Sequence, residues 1–199
     1  MISKPKFKIC RRLGPGVYDK CQTTKFSMSS AKGSFGKRPK ALSEYGIQFI
    51  EKQKVRFSYG VTEHQLSNYV KQASQTKGVG TVDKFYEALE LRLDNVIYRM
   101  GLAPTRRGAR QMVSHGHFVV NKHKVTIPSY ELKPGDVVKI REGSKSKKIF
   151  QGLGDKFKNY TVPAWMSFDL AKMEGSILDK PKNIDTFLNL NAVLEFYSR

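Results

Sequence analysis

The stretch from Leu91 to Ile140 constrains this chain more than any other, because its apolar residues change from a helical to an alternating period within one short span. Leu93, Val96, Ile97 and Met100 fall at i, i+3, i+4 and i+7, which predicts one buried helical stripe, and Gly101 is placed to end it. Thr105 is placed to cap a second helix whose apolar side is Ala109, Met112 and Val113, with Gly116 at its end. Phe118 to Val120, Lys124 to Ile127 and Val137 to Ile140 are rich in β-branched residues and predict short strands. Asn121-Lys122 and Lys133-Pro134-Gly135-Asp136 supply turn chemistry between them. The expectation is a small α/β module over 91–143.

The other side of the second helix carries Arg106, Arg107, Arg110 and Ser114, which project together at 3.6 residues per turn. Gln111, His115 and Lys122 complete the polar set. Guanidinium groups pair with phosphate oxygens, and a helix N-terminus adds partial positive charge and free N–H groups, so the face suits a nucleic-acid backbone. Taken alone, three arginines on one helix suit open solvent equally well. The whole chain shifts that balance, because 36 Lys plus Arg against 17 Asp plus Glu give a formal charge of +19, which calls for a polyanion partner.

Residues 1–42 hold eleven of those cations and one acid, Asp19, interrupted by Gly14, Pro15, Gly16, Gly33, Gly36 and Pro39. The expectation there is a basic, extended arm that orders on binding, with Arg11, Arg12, Lys37, Arg38 and Lys40 as RNA contacts. From residue 43 the pattern is helical. Ser43 caps a helix running to Gly60, stapled by Leu42 and Ile47 and flanked by Lys52, Lys54 and Arg56, also assigned to RNA. Thr62-Glu63-His64-Gln65 fits a capping box, with Val61 and Leu66 as a second staple and Leu66, Tyr69, Val70 and Ala73 as the buried stripe. A third helix spans Val82 to Glu90, with Phe85 and Leu89 on one side. Residues 144–185 read as a loop-rich basic extension packed on the module, with Trp165 as a core anchor. A closing helix at Asn191 to Tyr197, within 186–199, presents Leu190, Val193, Leu194 and Tyr197 and completes the helical domain of 43–90. The fold class expected is α+β, a helical domain with an inserted α/β module and an N-terminal arm.

Arg92-Leu93-Asp94-Asn95-Val96, Tyr98-Arg99-Met100-Gly101, Thr105-Arg106, Ala109-Arg110-Gln111, Val113-Ser114-His115, Val120-Asn121, Ser129-Tyr130 and Asp136-Val137-Val138 together resemble the S-four RNA-binding module. Outside it, Ser43-Glu44-Tyr45-Gly46, Glu51-Lys52-Gln53-Lys54-Val55-Arg56, Tyr59-Gly60-Val61, Pro163-Ala164-Trp165, Lys172-Met173-Glu174-Gly175 and Leu194-Glu195-Phe196-Tyr197-Ser198 are similar to the bacterial type of the small-subunit ribosomal protein of the S-four family. That resemblance implies a structural constituent of the small ribosomal subunit, a primary binder of its RNA that nucleates assembly of the subunit body and contributes to translational accuracy. It further implies a neighbour of the S-five family, and Lys37, Arg38 and Lys40 near the path by which mRNA enters. A cytoplasmic ribosome is expected ahead of an organellar one.

The chain departs from some family members at its cysteines. They hold zinc on four, whereas only Cys10 and Cys21 occur here, and two thiolates cannot complete a tetrahedral site. The expectation is therefore no metal, no other cofactor, and cysteines free and partly exposed in a reducing compartment. Arg92-Leu93-Asp94 is similar to the catalytic arginine-leucine-aspartate of pseudouridine synthases, yet it sits in the predicted RNA-binding module, where Asp94 is expected to pair with a neighbouring arginine. An RNA-modifying enzyme and a ribosome-associated stress factor are the alternatives that share the module. Residues 141–199 are too few for a catalytic domain of usual size, and a free stress factor would not need the arm and flanking helices. No apolar run approaches the roughly twenty residues needed to span a bilayer, and Met1 to Pro5 leads straight into charged sequence without the apolar segment of a signal peptide. The protein is expected to stay in the compartment where it is made, away from membranes.

Overall fold

The computed structural model describes residues 5–26, 41–76, 80–151, 157, 160–182 and 187–198. The chain divides into two compact units, Met1–Lys77 with Ile184–Arg199, and Gly78–Asn183.

The first unit begins with α1 (Lys6–Leu13), followed by 3-10 turns at Pro15–Val17 and Asp19–Gln22. The sequence expectation of extended backbone fails for this part of the arm. Ile9, Cys10 and Leu13 share one side of α1 and pack with Val17, Cys21 and Phe26 into a small core, while Lys8, Arg11 and Arg12 face solvent. Such a helix needs no more than one apolar stripe opposite its cations. Cys10 and Cys21, each 1% exposed, are joined as a disulfide within that core, so the expectation of free, partly exposed thiols is also overturned. Residues 27–40, with Lys37, Arg38 and Lys40, lie outside the described residues.

The helical remainder of this unit comprises α2 (Glu44–Tyr59), α3 (Glu63–Gln75) and a C-terminal helix (Leu190–Ser198) that packs on α2. Ser43 Oγ accepts the Gly46 N–H at 3.2 Å, and Gly60, at φ 63°, ends α2 in the left-handed conformation that glycine tolerates best. Leu42 and Ile47, the predicted staple pair, stay 58% and 50% exposed. The Thr62–Gln65 capping box does form, over buried Val61 and Leu66. Three helices meet at Glu63, which accepts from Lys52 at 2.8 Å and from the Tyr197 hydroxyl at 2.7 Å. The Lys52 ammonium also lies 4.3 Å from the Phe196 ring centroid, a cation–π contact that helps an ammonium sit in an apolar setting.

The second unit opens with α4 (Thr81–Glu90), so this helix groups with the module rather than with α2 and α3. It continues through α5 (Leu93–Arg99), α6 (Arg106–Ser114), β1 (Phe118–Val120), β2 (His123–Lys124), β3 (Val137–Ile140) and α7 (Glu142–Lys145) to β4 (Met166–Asp169) and β5 (Glu174–Ile177). We number the C-terminal helix α8. The strands form one antiparallel sheet in the order β2-β1-β3-β5-β4. Asn121 (φ 47°) and Lys122 (φ 73°) make the two-residue connection between β1 and β2, where both central residues need positive φ. Leu93, Val96, Ile97 and Met100 are fully buried, as their spacing predicts, against Ala109, Val113, Phe118, Leu132 and Ile140.

Strands β4 and β5 were not foreseen in the extension expected to be loop-rich. Each is four residues long, and β5 reads Glu-Gly-Ser-Ile, with little intrinsic strand propensity. Its pairing is supplied by β3, with Gly175 opposite Val138, where a Cβ on Gly175 would collide with the Met100 side chain. Trp165 is half-buried against the module core.

Two outcomes follow for stability. Cys10 and Cys21 are 11 positions apart, and closing a loop of about fifteen residues stabilises by ~3 kcal/mol in the chain-entropy model. Reduction, or the double substitution Cys10→Ser/Cys21→Ser, should destabilise the N-terminal lobe by roughly 2–4 kcal/mol, read as faster amide hydrogen exchange across residues 6–22; unchanged protection would count against the link. Burial alone would raise the Glu63 carboxyl, but hydrogen bonds from Lys52 and Tyr197 and the charges of Lys52 and Arg56 outweigh it and hold the group below its ordinary 4.5. The resulting stability is complete above pH 4.5 and is lost as pH falls through the lowered value. Glu63→Gln should flatten that acid dependence in denaturant titrations.

Candidate nucleic-acid interface

The polar side of α6 is positioned from its first residue. Thr105 Oγ1 accepts the Gly108 N–H at 3.0 Å, which fixes the helix start, and burial of Ala109, Met112 and Val113 sets its rotation. The rotation leaves Arg107, Gln111, Ser114 and His115 exposed and Arg106 and Arg110 half-buried. Lys122 is exposed in the β1–β2 turn. The helical spacing therefore placed the α6 residues on one face correctly.

What the spacing could not show is that two of those arginines are held by buried groups on α5. Asp94, 2% exposed, is gripped from inside by Arg92, whose Nε donates to Oδ1 at 3.0 Å and Nη2 to Oδ2 at 2.9 Å. Arg110 reaches the same carboxylate from the surface side, with Nε and Nη2 donating to Oδ2 at 2.8 and 2.7 Å, and its side chain keeps 26% exposure. Arg106 Nε donates to Asn95 Oδ1 at 2.7 Å while its guanidinium lies over the Tyr98 ring, 4.5 Å from the centroid. Asn95 in turn donates to Glu90 Oε2 at 3.0 Å, and Arg99 closes on the fully buried Glu90 through Nε at 3.0 Å and Nη2 at 2.9 Å. Three guanidinium groups thus grip two carboxylates, and Arg106 joins them through the neutral Asn95 amide, so the cluster keeps an excess of positive charge. It is also rigid, because planar donors bound at two nitrogens lose their rotational freedom.

Asp94 is consumed by this structural role, as expected from its neighbours. Among the described residues no group of three His, Cys, Asp or Glu side chains could hold a metal ion, and no helix is long and apolar enough to cross a membrane.

The other sequence-assigned contacts are placed differently. Lys52, 6% exposed, is committed to Glu63 and the aromatic rings around it, which corrects its assignment to RNA: desolvating an ammonium demands a local partner, and it has one. Lys54 pairs with Glu51 at 2.6 Å, and Arg56 donates to Gln53 at 3.2 Å. Arg11 and Arg12 are exposed on α1. His123 and Lys124 are both exposed on β2. The Lys124 side chain runs past Gly116, where a Cβ would obstruct it, and so comes back toward the end of α6. His117 is buried, so it is not a solvated residue. Its Nδ1 lies 3.0 Å from Ser144 Oγ, and burial, followed by the charges of Lys147, His115 and Arg141, pushes its imidazole below the ordinary 6.5.

Breaking a buried pair by removing one partner costs about 3–5 kcal/mol, since the other charge is left uncompensated. Asp94→Ala should destabilise the second unit by that order in denaturant unfolding followed by circular dichroism. A loss within roughly 0.5 kcal/mol, the range of an ordinary surface substitution, would show that Arg92 finds compensation elsewhere.

Comparison with known proteins covers both units. Residues 2–90 match the ribosomal protein S4/S9 N-terminal domain, and residues 91–138 match the S4 domain. The chain is 42% identical over 96% of its length to the small ribosomal subunit protein uS4 of Syntrophomonas wolfei, covering 95% of that protein. It is 43% identical to that of Hahella chejuensis and 41% identical to that of Thermotoga maritima, in each case over 98% of this chain and 97% of the relative. With two family domains in this order and similarity along nearly its whole length, the chain belongs to the small ribosomal subunit protein uS4 family.

Proposed function

We propose that this protein is a structural constituent of the small ribosomal subunit, binding small-subunit ribosomal RNA through the α6 face of its S4 domain. The observation that carries the proposal is near full-length similarity to relatives named for that subunit, joined to a face on which guanidinium groups are held rigid with excess positive charge. Arg106, Arg107 and Arg110, with Gln111, Ser114, His115 and Lys122, contact phosphates and riboses. Shape is recognised rather than base sequence, because a helix face of this length suits the backbone at an RNA junction. Arg11, Arg12, Lys37, Arg38, Lys40, Lys54 and Arg56 add contacts from the first unit.

The finer parts of the proposal follow from membership of the family. The protein binds the RNA early, nucleates assembly of the subunit body, meets a neighbour of the S-five family, lies near the path by which mRNA enters, and contributes to decoding accuracy. It works in ribosomes of the cytoplasm. The family and the structural engagement of Asp94 make it a structural protein and not an enzyme.

Sedimentation of a cell extract through a sucrose gradient should place the protein with small subunits; recovery only at the top would refute the assignment. With the purified chain and a small-subunit RNA transcript, affinity should fall by about 10³ to 10⁵ between roughly 50 and 200 mM salt if six to ten phosphates are contacted, on the scale measured for DNA. Asp94→Asn gives a diagnostic sign. It adds one unit of positive charge, so simple attraction predicts tighter binding, whereas loss of the Arg110 anchor predicts weaker binding to the structured transcript.

A further inference from the structure

We infer that Cys10 and Cys21 form a reversible thiol–disulfide latch whose exchange partner is a small anionic couple of the glutathione class. Bonded, they hold residues 6–26 as a folded lobe on α2. Reduced, they release that segment as an extended cationic arm, so the arm that composition favours and the lobe seen in the structure are two states of one segment. The inference rests on the function proposed above only for a reducing compartment, and its test uses no RNA, so the two fail separately.

The first observation is that the lobe is too small to hold itself. Its core is Ile9, Cys10, Leu13, Val17, Cys21 and Phe26, so two of those six residues are the cysteines. The helix α1 is eight residues long, Pro5 gives it no side-chain cap, and its first turn holds no acid, while Lys6 and Lys8 there oppose the helix dipole. Helices shorter than about 12 to 15 residues are marginal by themselves, and folds below about 40 residues usually need a cross-link, a metal or a partner. The disulfide ties α1 to the 3-10 turn that carries Cys21. Further support comes from Ile50 and Phe57 of α2 and from Phe187, whose ring occupies the space a Cβ on Gly16 would need.

The second observation is the charge the bond restrains. Residues 5–26 carry Lys6, Lys8, Arg11, Arg12, Lys20 and Lys25 against Asp19 alone. Folded together these cations repel one another, so the cross-link opposes a force that opens the lobe. Both cysteines are 1% exposed, and exchange therefore waits on local opening. Once the segment is open, the same cations favour the thiolate, which is the reacting form of cysteine, and attract anionic glutathione. Disulfides that do occur in a reducing interior are mostly transient or redox-sensing.

Closing begins when a thiolate of the pair attacks a sulfur of glutathione disulfide, whose S–S bond breaks and releases one glutathione. The second cysteine attacks the protein sulfur of the mixed disulfide, forming the Cys10–Cys21 bond and releasing the other glutathione. Two protein thiols thus give up two electrons and two protons, which leave as two glutathione thiols. Excess glutathione drives the same steps in reverse.

The test equilibrates the full-length chain across a series of glutathione to glutathione disulfide ratios. Iodoacetamide labelling with mass spectrometry reads the bonded fraction at each ratio, and amide hydrogen exchange reads the order of the lobe. Protection across residues 6–22 should fall by about 30- to 1000-fold over the same ratios at which the bond is lost, and return when glutathione disulfide is added. Helices α5 and α6 should keep their protection throughout, which controls for general unfolding. Cys10→Ser should show the open pattern at every ratio. A lobe that stays protected with both thiols reduced would overturn the latch, because the bond would then hold nothing. A bond that persists at every ratio, or a glutathione adduct that accumulates in place of the internal bond, would overturn its reversibility and the inference with it.

Discussion

The Asp94 carboxylate, shared by Arg92 below it and Arg110 above it, is the interaction on which the rest of the interface depends. An ionised carboxylate buried to 2% exposure is unfavourable unless paired and hydrogen-bonded, and here both oxygens are engaged by charged donors. The arrangement couples α5 to α6, so the rotation of the basic helix is set by an ion network as well as by its apolar stripe. Glu90, at the end of α4, repeats the logic, reaching Arg106 through Asn95 and Arg99 directly.

These two networks address a problem that follows from a formal charge of +19. Cations crowded on a small fold repel one another and weaken it. Burying two carboxylates beneath the surface arginines lowers that repulsion and still leaves net positive charge outside. In the first unit Glu63 does similar work for Lys52 and Arg56, but there the ammonium is enclosed and the cluster becomes part of the core. Partners decide which role a basic residue takes, and composition does not.

Much of the architecture was legible because it is local. Ser43, Thr62 and Thr105 each cap the helix they precede, and Leu93, Val96, Ile97 and Met100 face inward as their spacing requires. The N-terminal lobe was hidden because its stripe of Ile9, Cys10 and Leu13 is short and surrounded by cations and glycines that read as an extended arm. Strand β5 was hidden because Glu, Gly and Ser carry little strand preference; it becomes a strand through β3 beside it, and β4 becomes one through β5.

The amino-acid sequence by itself determined the helical faces, their caps, the hairpin turn at Asn121-Lys122 and the family, since these rest on residue spacing and on groups within a few positions of one another. Only the tertiary structure decided which cations remain at the surface. Arg110 meets its carboxylate 16 positions away, and Tyr197 meets Glu63 134 positions away. Such pairings depend on how separate elements pack, and the cost of burying a charge is settled by that packing, which no local pattern of residues encodes.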